Sequence, residues 1–267
     1  MAHVERLVAI GPRVAGSPGG AKARDYIVRE LKKAGLEVRV EPFEADTPHG
    51  RLRLANVVAV IPGRRAEVIL IGGHYDTKWF NDRHFVGAND GGSSAALLIE
   101  LARALARPRR DFTYWVVFFD GEEARQSWTA TDSLYGSRRM AADLTRSQRL
   151  PRAVIVVDMI GDRDLTIRRE VFSTDALTDL IWQAAARLGY QRHFSSASIP
   201  VEDDHAPFLR AGVPAALLID FEYPPWHTAN DTVDKVSPRS LKVVADVLLE
   251  ALPAIERWLL GSPPRRP

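Results

Sequence analysis

Short apolar runs alternate with stretches of helical periodicity along almost the whole chain, and this alternation restricts the fold more than any other feature. Residues 112–119 form a continuous apolar and aromatic run, which is typical of a strand buried on both faces. Residues 154–157 repeat that pattern, whereas residues 20–34 place apolar side chains at helical spacing and precede Gly35, a helix stop. The alternation predicts an α/β fold.

The remaining predicted elements continue the same pattern. The further strands are residues 36–43, 56–61, 68–71 and 215–219, and the further helices are residues 93–105, 174–188, 207–210 and 238–260. We see no linker and no internal repeat, so we predict a single domain over residues 1–260. The segment 261–267, rich in proline and arginine, is predicted to be a disordered tail.

The composition excludes several classes of protein. The chain has no cysteine, which rules out disulfides, thiol nucleophiles and cysteine zinc sites. The formal net charge is only +2 with no clustered basic face, so nucleic-acid binding is not expected. No run reaches the ~18 apolar residues of a membrane helix. The first ten residues do not resemble a signal peptide; we nevertheless expect an exported monomer, periplasmic or secreted rather than cytoplasmic, whose signal is missing from this sequence.

Acidic and histidine side chains follow the predicted strands at their carboxyl ends. They are His74 and Asp76 after the strand at 68–71, Glu122 and Glu123 after 112–119, Asp158 after 154–157, and His227 after 215–219. Ligands of open α/β sheets bind outside the carboxyl ends of the strands. We therefore predict that these side chains meet in one site at one edge of the sheet.

The residue types at this edge are those of a metal centre. Zinc accepts histidine nitrogen and carboxylate oxygen, and a catalytic zinc keeps one coordination position open. Each candidate also has a simpler interpretation: Asp90 would cap the helix that follows it, a lone histidine after a strand is more often a hydrogen-bonding residue, and Glu122 and Glu123 would be loop charges. The candidate ligands are His74, Asp90, Glu123, Asp158 and His227.

The order and local context of these residues resemble the zinc aminopeptidases that bind two co-catalytic zinc ions. The resemblance rests on His-Tyr-Asp at 74–76, an aspartate before a helix, Glu-Glu after an apolar strand, and then an aspartate and a histidine. It implies that Asp90 bridges two metals and that Glu122 is the general base. His74 and Asp158 would then serve one metal, and Glu123 and His227 the other.

Longer segments resemble a narrower group within that M28 family, the animal-type glutaminyl cyclases. The segments are His-Tyr-Asp-Thr-Lys-Trp-Phe at 74–80, Phe-Phe-Asp-Gly-Glu-Glu-Ala at 118–124, Asp-Ser-Leu-Tyr-Gly-Ser-Arg at 132–138 and Asp-Asp-His-Ala-Pro-Phe-Leu-Arg at 203–210. Related aminopeptidases usually carry serine where Asp203 stands. Two departures affect pocket shape: Gly73 stands where animal members have a cysteine, and residues 91–94 are less bulky.

The narrower resemblance implies a fold and an activity. The fold is an α/β/α sandwich with a central, mixed but mostly parallel, twisted sheet. The activity is an aminoacyl transfer that closes the N-terminal glutamine of peptides or proteins into pyroglutamate and releases ammonia. One zinc per chain would be held by Asp90, Glu123 and His227, and His74 and Asp76 would serve a second metal or orient the site from outside the ligand set.

The same resemblance implies roles for the remaining site residues. Glu122 would act as base and then as acid, which requires a pKa above the ordinary value of about 4.3. Asp158 and Asp203 would raise that pKa by like-charge repulsion and proton sharing. Trp128 and Trp226 would form the walls of a glutamine pocket, although a tryptophan chosen at random is more often a core residue.

Three alternatives remain open from the sequence. A two-zinc aminopeptidase of the M28 family needs His74 and Asp158 as ligands, and both are present, so counting ligands does not decide. A catalytically inactive binding domain on the same fold usually lacks ligands or the base, and none is missing. Asp203 has its own alternative, as the cap of the short helix near Pro207.

Overall fold

A computed structural model describes residues 1–261 of the chain as one α/β assembly. The helices are α1 Ala2–Val8, α2 Pro18–Lys33, α3 Gly92–Leu105, α4 Tyr135–Arg146, α5 Asp175–Arg187, α6 Ala206–Arg210 and α7 Pro238–Gly261. The strands are β1 Glu37–Thr47, β2 Gly50–Ile61, β3 Val68–His74, β4 Thr113–Phe119, β5 Ala153–Asp158, β6 Ile167–Glu170, β7 Phe194–Ile199 and β8 Ala215–Ile219. Helix α7 includes Gly261, and the rest of the predicted tail, residues 262–267, lies outside the described residues.

Six strands form the central sheet in the order β1-β2-β4-β3-β5-β8. The hairpin β1–β2 and the pair β2–β4 are antiparallel, whereas β4, β3, β5 and β8 run parallel to one another. Strands β6 and β7 form a separate parallel pair. The predicted mixed and mostly parallel sheet is therefore confirmed.

Successive residues of the central strands face opposite sides of the sheet, and each side is covered by helices. Ile69 and Ile71 of β3 belong to the larger apolar core, which also contains buried residues of α2, α3, α5 and α7. Leu70, between them, belongs to the second core with Met140 of α4 and Phe208 of α6. Burying an aliphatic side chain of this size stabilises the fold by about 1.5–3 kcal/mol. The two cores explain why the central strands are apolar throughout.

Several elements are longer or additional compared with the sequence prediction. Strand β2 begins at Gly50, six residues before the predicted start, because its first half pairs with β1 while exposing Arg51 and Arg53. Helices α1 and α4 and strands β6 and β7 were not predicted. Helix α4 is buried on one face only and strand β7 is half exposed, so both lack the continuous apolar signal that marks the central strands.

The parallel strands deliver their carboxyl ends to one edge of the sheet. There Gly73 of β3 lies so close to β5 that a Cβ on it would be 2.5 Å from the Val157 carbonyl oxygen. Any larger residue at this position would therefore require the backbone to shift. Within residues 1–261 no helix combines the length and the apolar character needed to cross a membrane.

Candidate metal centre and acidic pocket

A cavity of about 450 Å³ opens at this edge of the sheet. It is lined by most of the residues that the sequence singles out, both acidic and aromatic. They are Asp90, Glu122, Glu123, Asp158, Asp203 and His227, with the indoles of Trp128 and Trp226. His74 and Asp76 lie behind it, buried from solvent. The fold thus brings every predicted site residue to one place.

Three donor groups converge at the cavity from separate parts of the chain. Nε2 of His227 lies 3.0 Å from Oε1 of Glu123 and 3.3 Å from Oδ2 of Asp90. The latter oxygen is buried and has no hydrogen-bond partner among the described residues. Burial alone would lower the pKa of His227, but the nearby carboxylates of Asp90 and Glu123 raise it to about 9. The two carboxylates therefore favour a positive charge between them. Two carboxylate oxygens and one imidazole nitrogen form a ligand set that zinc accepts.

A second set of donors shares Asp90 with the first. Nε2 of His74 lies 3.0 Å from Oδ1 of Asp158 and 3.3 Å from Oδ1 of Asp90. The three ligand atoms are close enough to hold a cation together. Nδ1 of His74 lies 3.5 Å from Oδ1 of Asp76. The geometry by itself is thus compatible with a metal in either set.

The local backbone is shaped to bring these groups together. His227 adopts the left-handed conformation, with φ of 56°, which a non-glycine residue occupies only when its surroundings hold it there. Gly91, directly after Asp90, has φ of 72°, and a Cβ on it would lie 2.4 Å from the Asp76 carbonyl oxygen. Gly91 is also the N-cap of α3, so Asp90 does not cap that helix. The capping interpretation of Asp90 is therefore wrong.

Glu122 stands beside the metal donors with its carboxylate free of hydrogen bonds to the described residues. Burial raises the pKa of Glu122 well above its ordinary value. The charge of His74 lowers this pKa, whereas the negative charges of Glu123 and Asp203 raise it further. Burial, and next the charge of Asp158, raise the pKa of Asp203 to about 7. In residues 1–261 no hydrogen bond directly joins Glu122, Asp158 and Asp203. The hydrogen bond that the predicted proton sharing requires is therefore missing among these three residues, and the coupling is electrostatic: the charge of Asp203 acts on Glu122, and that of Asp158 acts on Asp203.

The alternative role of Asp203 as a helix cap does not match the structure. The N-cap of α6 is His205, and no side-chain hydrogen bond caps this helix. The Asp203 carboxylate instead accepts a hydrogen bond from the amide of the adjacent Asp204, and Asp203 faces the cavity. The side chain is almost completely buried.

The two indoles are placed at the mouth of the cavity rather than in the core. Trp128 and Trp226 are 41% and 40% exposed, which excludes the interpretation that they are core residues. The Trp226 ring stacks on the His227 ring with centroids 4.2 Å apart. Nε1 of Trp128 donates to Oε2 of Glu202 at 3.3 Å. Both indoles thus present partly exposed surface at the cavity.

Two further acids support the site from behind, and one of them was not singled out from the sequence. The Asp76 carboxylate accepts the amides of Glu122 and Glu123, at 3.1 and 3.3 Å, and so fixes the turn that carries both. The Asp231 carboxylate accepts the amides of Asn89 and Asp90, at 2.8 and 3.1 Å. Asp231 has no apolar strand before it, so the pattern that identified the other acids did not reveal it.

Comparison with known proteins identifies close structural and sequence relatives. The model of peptidase family M28 matches residues 56–252. The glutaminyl-peptide cyclotransferase of Boiga irregularis is 31% identical over 282 residues, which cover 88% of this chain and 75% of the relative. The glutaminyl cyclase of an Acidobacteriales bacterium superposes with a TM-score of 0.91 at 42% identity, covering 96% of this chain and 93% of the other. The Porphyromonas gingivalis glutaminyl cyclase gives 0.88 at 27% identity, with 95% and 96% covered.

Proposed function

The chain belongs to peptidase family M28 and, within it, to the glutaminyl-peptide cyclotransferases, and we propose that it closes the N-terminal glutamine of peptides and proteins into pyroglutamate with release of ammonia. The observation that carries this proposal is the juxtaposition, in one cavity, of Glu122 with a three-donor metal set and two exposed indoles. We assign the metal set to one zinc held by Asp90, Glu123 and His227. Export of the protein and a monomeric state stay predictions.

The reaction joins two groups of the same residue. The α-amine nitrogen of the substrate attacks the carbon of its own side-chain amide, so correct positioning supplies much of the rate. Zinc, when bound, supplies Lewis-acid polarisation of the γ-carbonyl oxygen. The indoles of Trp128 and Trp226 hold the glutamine side chain, and their apolar faces keep competing water away from the carbonyl.

Glu122 moves the proton that the reaction must transfer. Its carboxylate accepts the proton from the attacking amine as the new C–N bond forms, and returns it to the departing nitrogen as the old C–N bond breaks and ammonia leaves. A group with both duties works best when its pKa lies near the operating pH. Burial and the negative charge of Asp203 move the pKa of Glu122 in that direction, which supports this assignment over an ordinary surface glutamate.

A direct test of the activity compares two peptides that differ in one feature. A peptide that begins with glutamine should release one ammonia per molecule, whereas the same peptide with an acetylated α-amine should release none, because its nitrogen no longer attacks. Ammonia is measured with a coupled dehydrogenase assay. Equal release from both peptides would show amide hydrolysis instead of cyclisation.

The donor set of His74, Asp90 and Asp158 favours one rival function, a two-zinc aminopeptidase. We expect dialysed protein to contain about one zinc per chain. In the proposed reaction a single zinc acts as the Lewis acid, and Glu122, with Asp203 near it, transfers the proton. Elemental analysis of His74→Ala should give the same zinc content as the wild type, whereas His227→Ala should lose the metal. Two tightly held zinc ions in the wild type, one of them missing in His74→Ala, would favour the aminopeptidase.

A further inference from the structure

One wall of the cavity is a stretch of irregular backbone. Residues 200–203, named here the 200–203 wall, all line the cavity, and they lie between the end of β7 and the start of α6. The wall carries Asp203 and also Glu202, which accepts the hydrogen bond from the indole of Trp128. Since no strand ladder fixes these residues, their position depends on other anchors.

A single buried carboxylate, that of Glu170 at the end of β6, binds the chain on both sides of Asp203. Its Oε1 accepts the amide of Val201 at 3.4 Å, two residues before Asp203. Its Oε2 accepts from Nε2 of His205 at 3.0 Å, two residues after Asp203. Glu170 therefore connects both flanks of Asp203 from behind the wall.

Glu170 is itself tied firmly to the sheet. Its carboxylate also accepts the amide of Phe172 at 2.9 Å and the hydroxyl of Ser173 at 2.8 Å. The Ser173 hydroxyl in turn accepts the amide of Leu217 in β8 at 3.0 Å. The anchor is thus continuous with the central sheet, which makes it rigid.

The pair formed by Glu170 and His205 is fully buried. The side chains of Glu170 and His205 are both 0% exposed. Burial alone would raise the pKa of Glu170, but the hydrogen bonds from His205, Phe172 and Ser173 hold it below its ordinary value. Nδ1 of His205 has no hydrogen-bond partner in the described part of the chain, so its bond to Glu170 is what orients the ring.

We propose that Glu170 and His205 are positioning residues that hold the 200–203 wall, and with it Asp203, in place against Glu122. Neither lines the cavity, so both act through Asp203 and not on the substrate. The expected effect on turnover rests on the proposed function. The anchoring of the 200–203 wall is a property of the fold alone.

The test combines turnover with a structural signal that does not depend on activity. A misplacement of about 1 Å costs up to ~10²-fold in rate, so Glu170→Ala should lower kcat by at least ~10-fold with zinc content unchanged. In the ¹⁵N-labelled protein, the indole resonance of Trp128, one of six tryptophans, should shift because its acceptor Glu202 moves. The resonance is assigned with Trp128→Phe.

Conservative variants and a matched control separate positioning from general destabilisation. Glu170→Gln keeps acceptors for the backbone amides and should restore part of kcat, and His205→Gln should resemble Glu170→Ala in milder form. Glu256→Ala removes another buried carboxylate, which accepts from the Tyr114 hydroxyl at 2.8 Å far from the cavity. It should lower Tm while leaving kcat and the Trp128 resonance unchanged.

The outcomes distinguish this inference from the proposed function. The inference would be overturned if folded Glu170→Ala showed wild-type kcat and an unmoved Trp128 resonance. If the alanine variant does not fold, the same result in Glu170→Gln and His205→Gln would overturn it. A wild-type protein inactive on glutamine peptides, combined with a shifted resonance in Glu170→Ala, would overturn the proposed function and leave the anchoring established.

Discussion

Replacing Glu122 by glutamine is expected to lower kcat by ~10²-fold or more while zinc remains bound. The substitution keeps the shape of the side chain but removes its capacity to accept the proton of the attacking amine. Because the Glu122 carboxylate makes no hydrogen bond to the described residues, the neutral amide should disturb the fold little. Steady-state kinetics with a glutamine peptide, together with elemental analysis, measures both quantities.

The neighbouring glutamate provides the matched control. Glu123→Gln replaces a carboxylate oxygen that lies 3.0 Å from Nε2 of His227, and it should release the metal. If Glu122→Gln loses zinc and Glu123→Gln retains it, the roles of the two glutamates are assigned the wrong way round.

Replacing Asp203 by alanine is expected to lower kcat by ~10-fold or more, because the proton-transfer group Glu122 loses a neighbouring charge that raises its pKa. Removing a negative charge beside Glu122 also lowers the pKa of that group. The acid limb of the pH–rate profile should therefore move to lower pH, because Glu122 then loses its proton at lower pH. Zinc content should stay the same.

Asp162 offers a control for the loss of a buried aspartate. Its carboxylate accepts the amide of Asp164 in a turn, and it does not line the cavity. Asp162→Ala should cost only stability, with an unchanged pH profile. Wild-type turnover in Asp203→Ala, accompanied only by a lower Tm, would contradict the role of Asp203 in proton transfer.

The central strands and most long helices are predictable from the sequence because burial on two faces leaves a strong signal. Residues 112–119 and 154–157 correspond to β4 and β5 within one residue at each end. The hairpin β1–β2 and helix α4 are less visible. Their solvent-facing arginines, such as Arg51 and Arg139, interrupt the apolar pattern while leaving the buried face intact.

The residues at the carboxyl ends of the strands are predictable for a related reason. His74, Glu122, Glu123 and Asp158 lie at or within a few residues of the ends of apolar strands, and the parallel sheet brings them to one edge. Their roles in metal binding and proton transfer stay predictions until the variants are measured. Glu170 carries no such signal, because its function depends on contacts with Val201 and His205, more than thirty residues away in sequence.

Mass analysis of two peptides incubated together with the zinc-loaded protein tests the central claim most directly. One peptide begins with glutamine and the other with an unblocked leucine. The account predicts that the glutamine peptide loses the mass of one ammonia and keeps all its residues, while the leucine peptide is unchanged. A leucine peptide shortened by its first residue, with the glutamine peptide uncyclised, would contradict the account and identify an aminopeptidase.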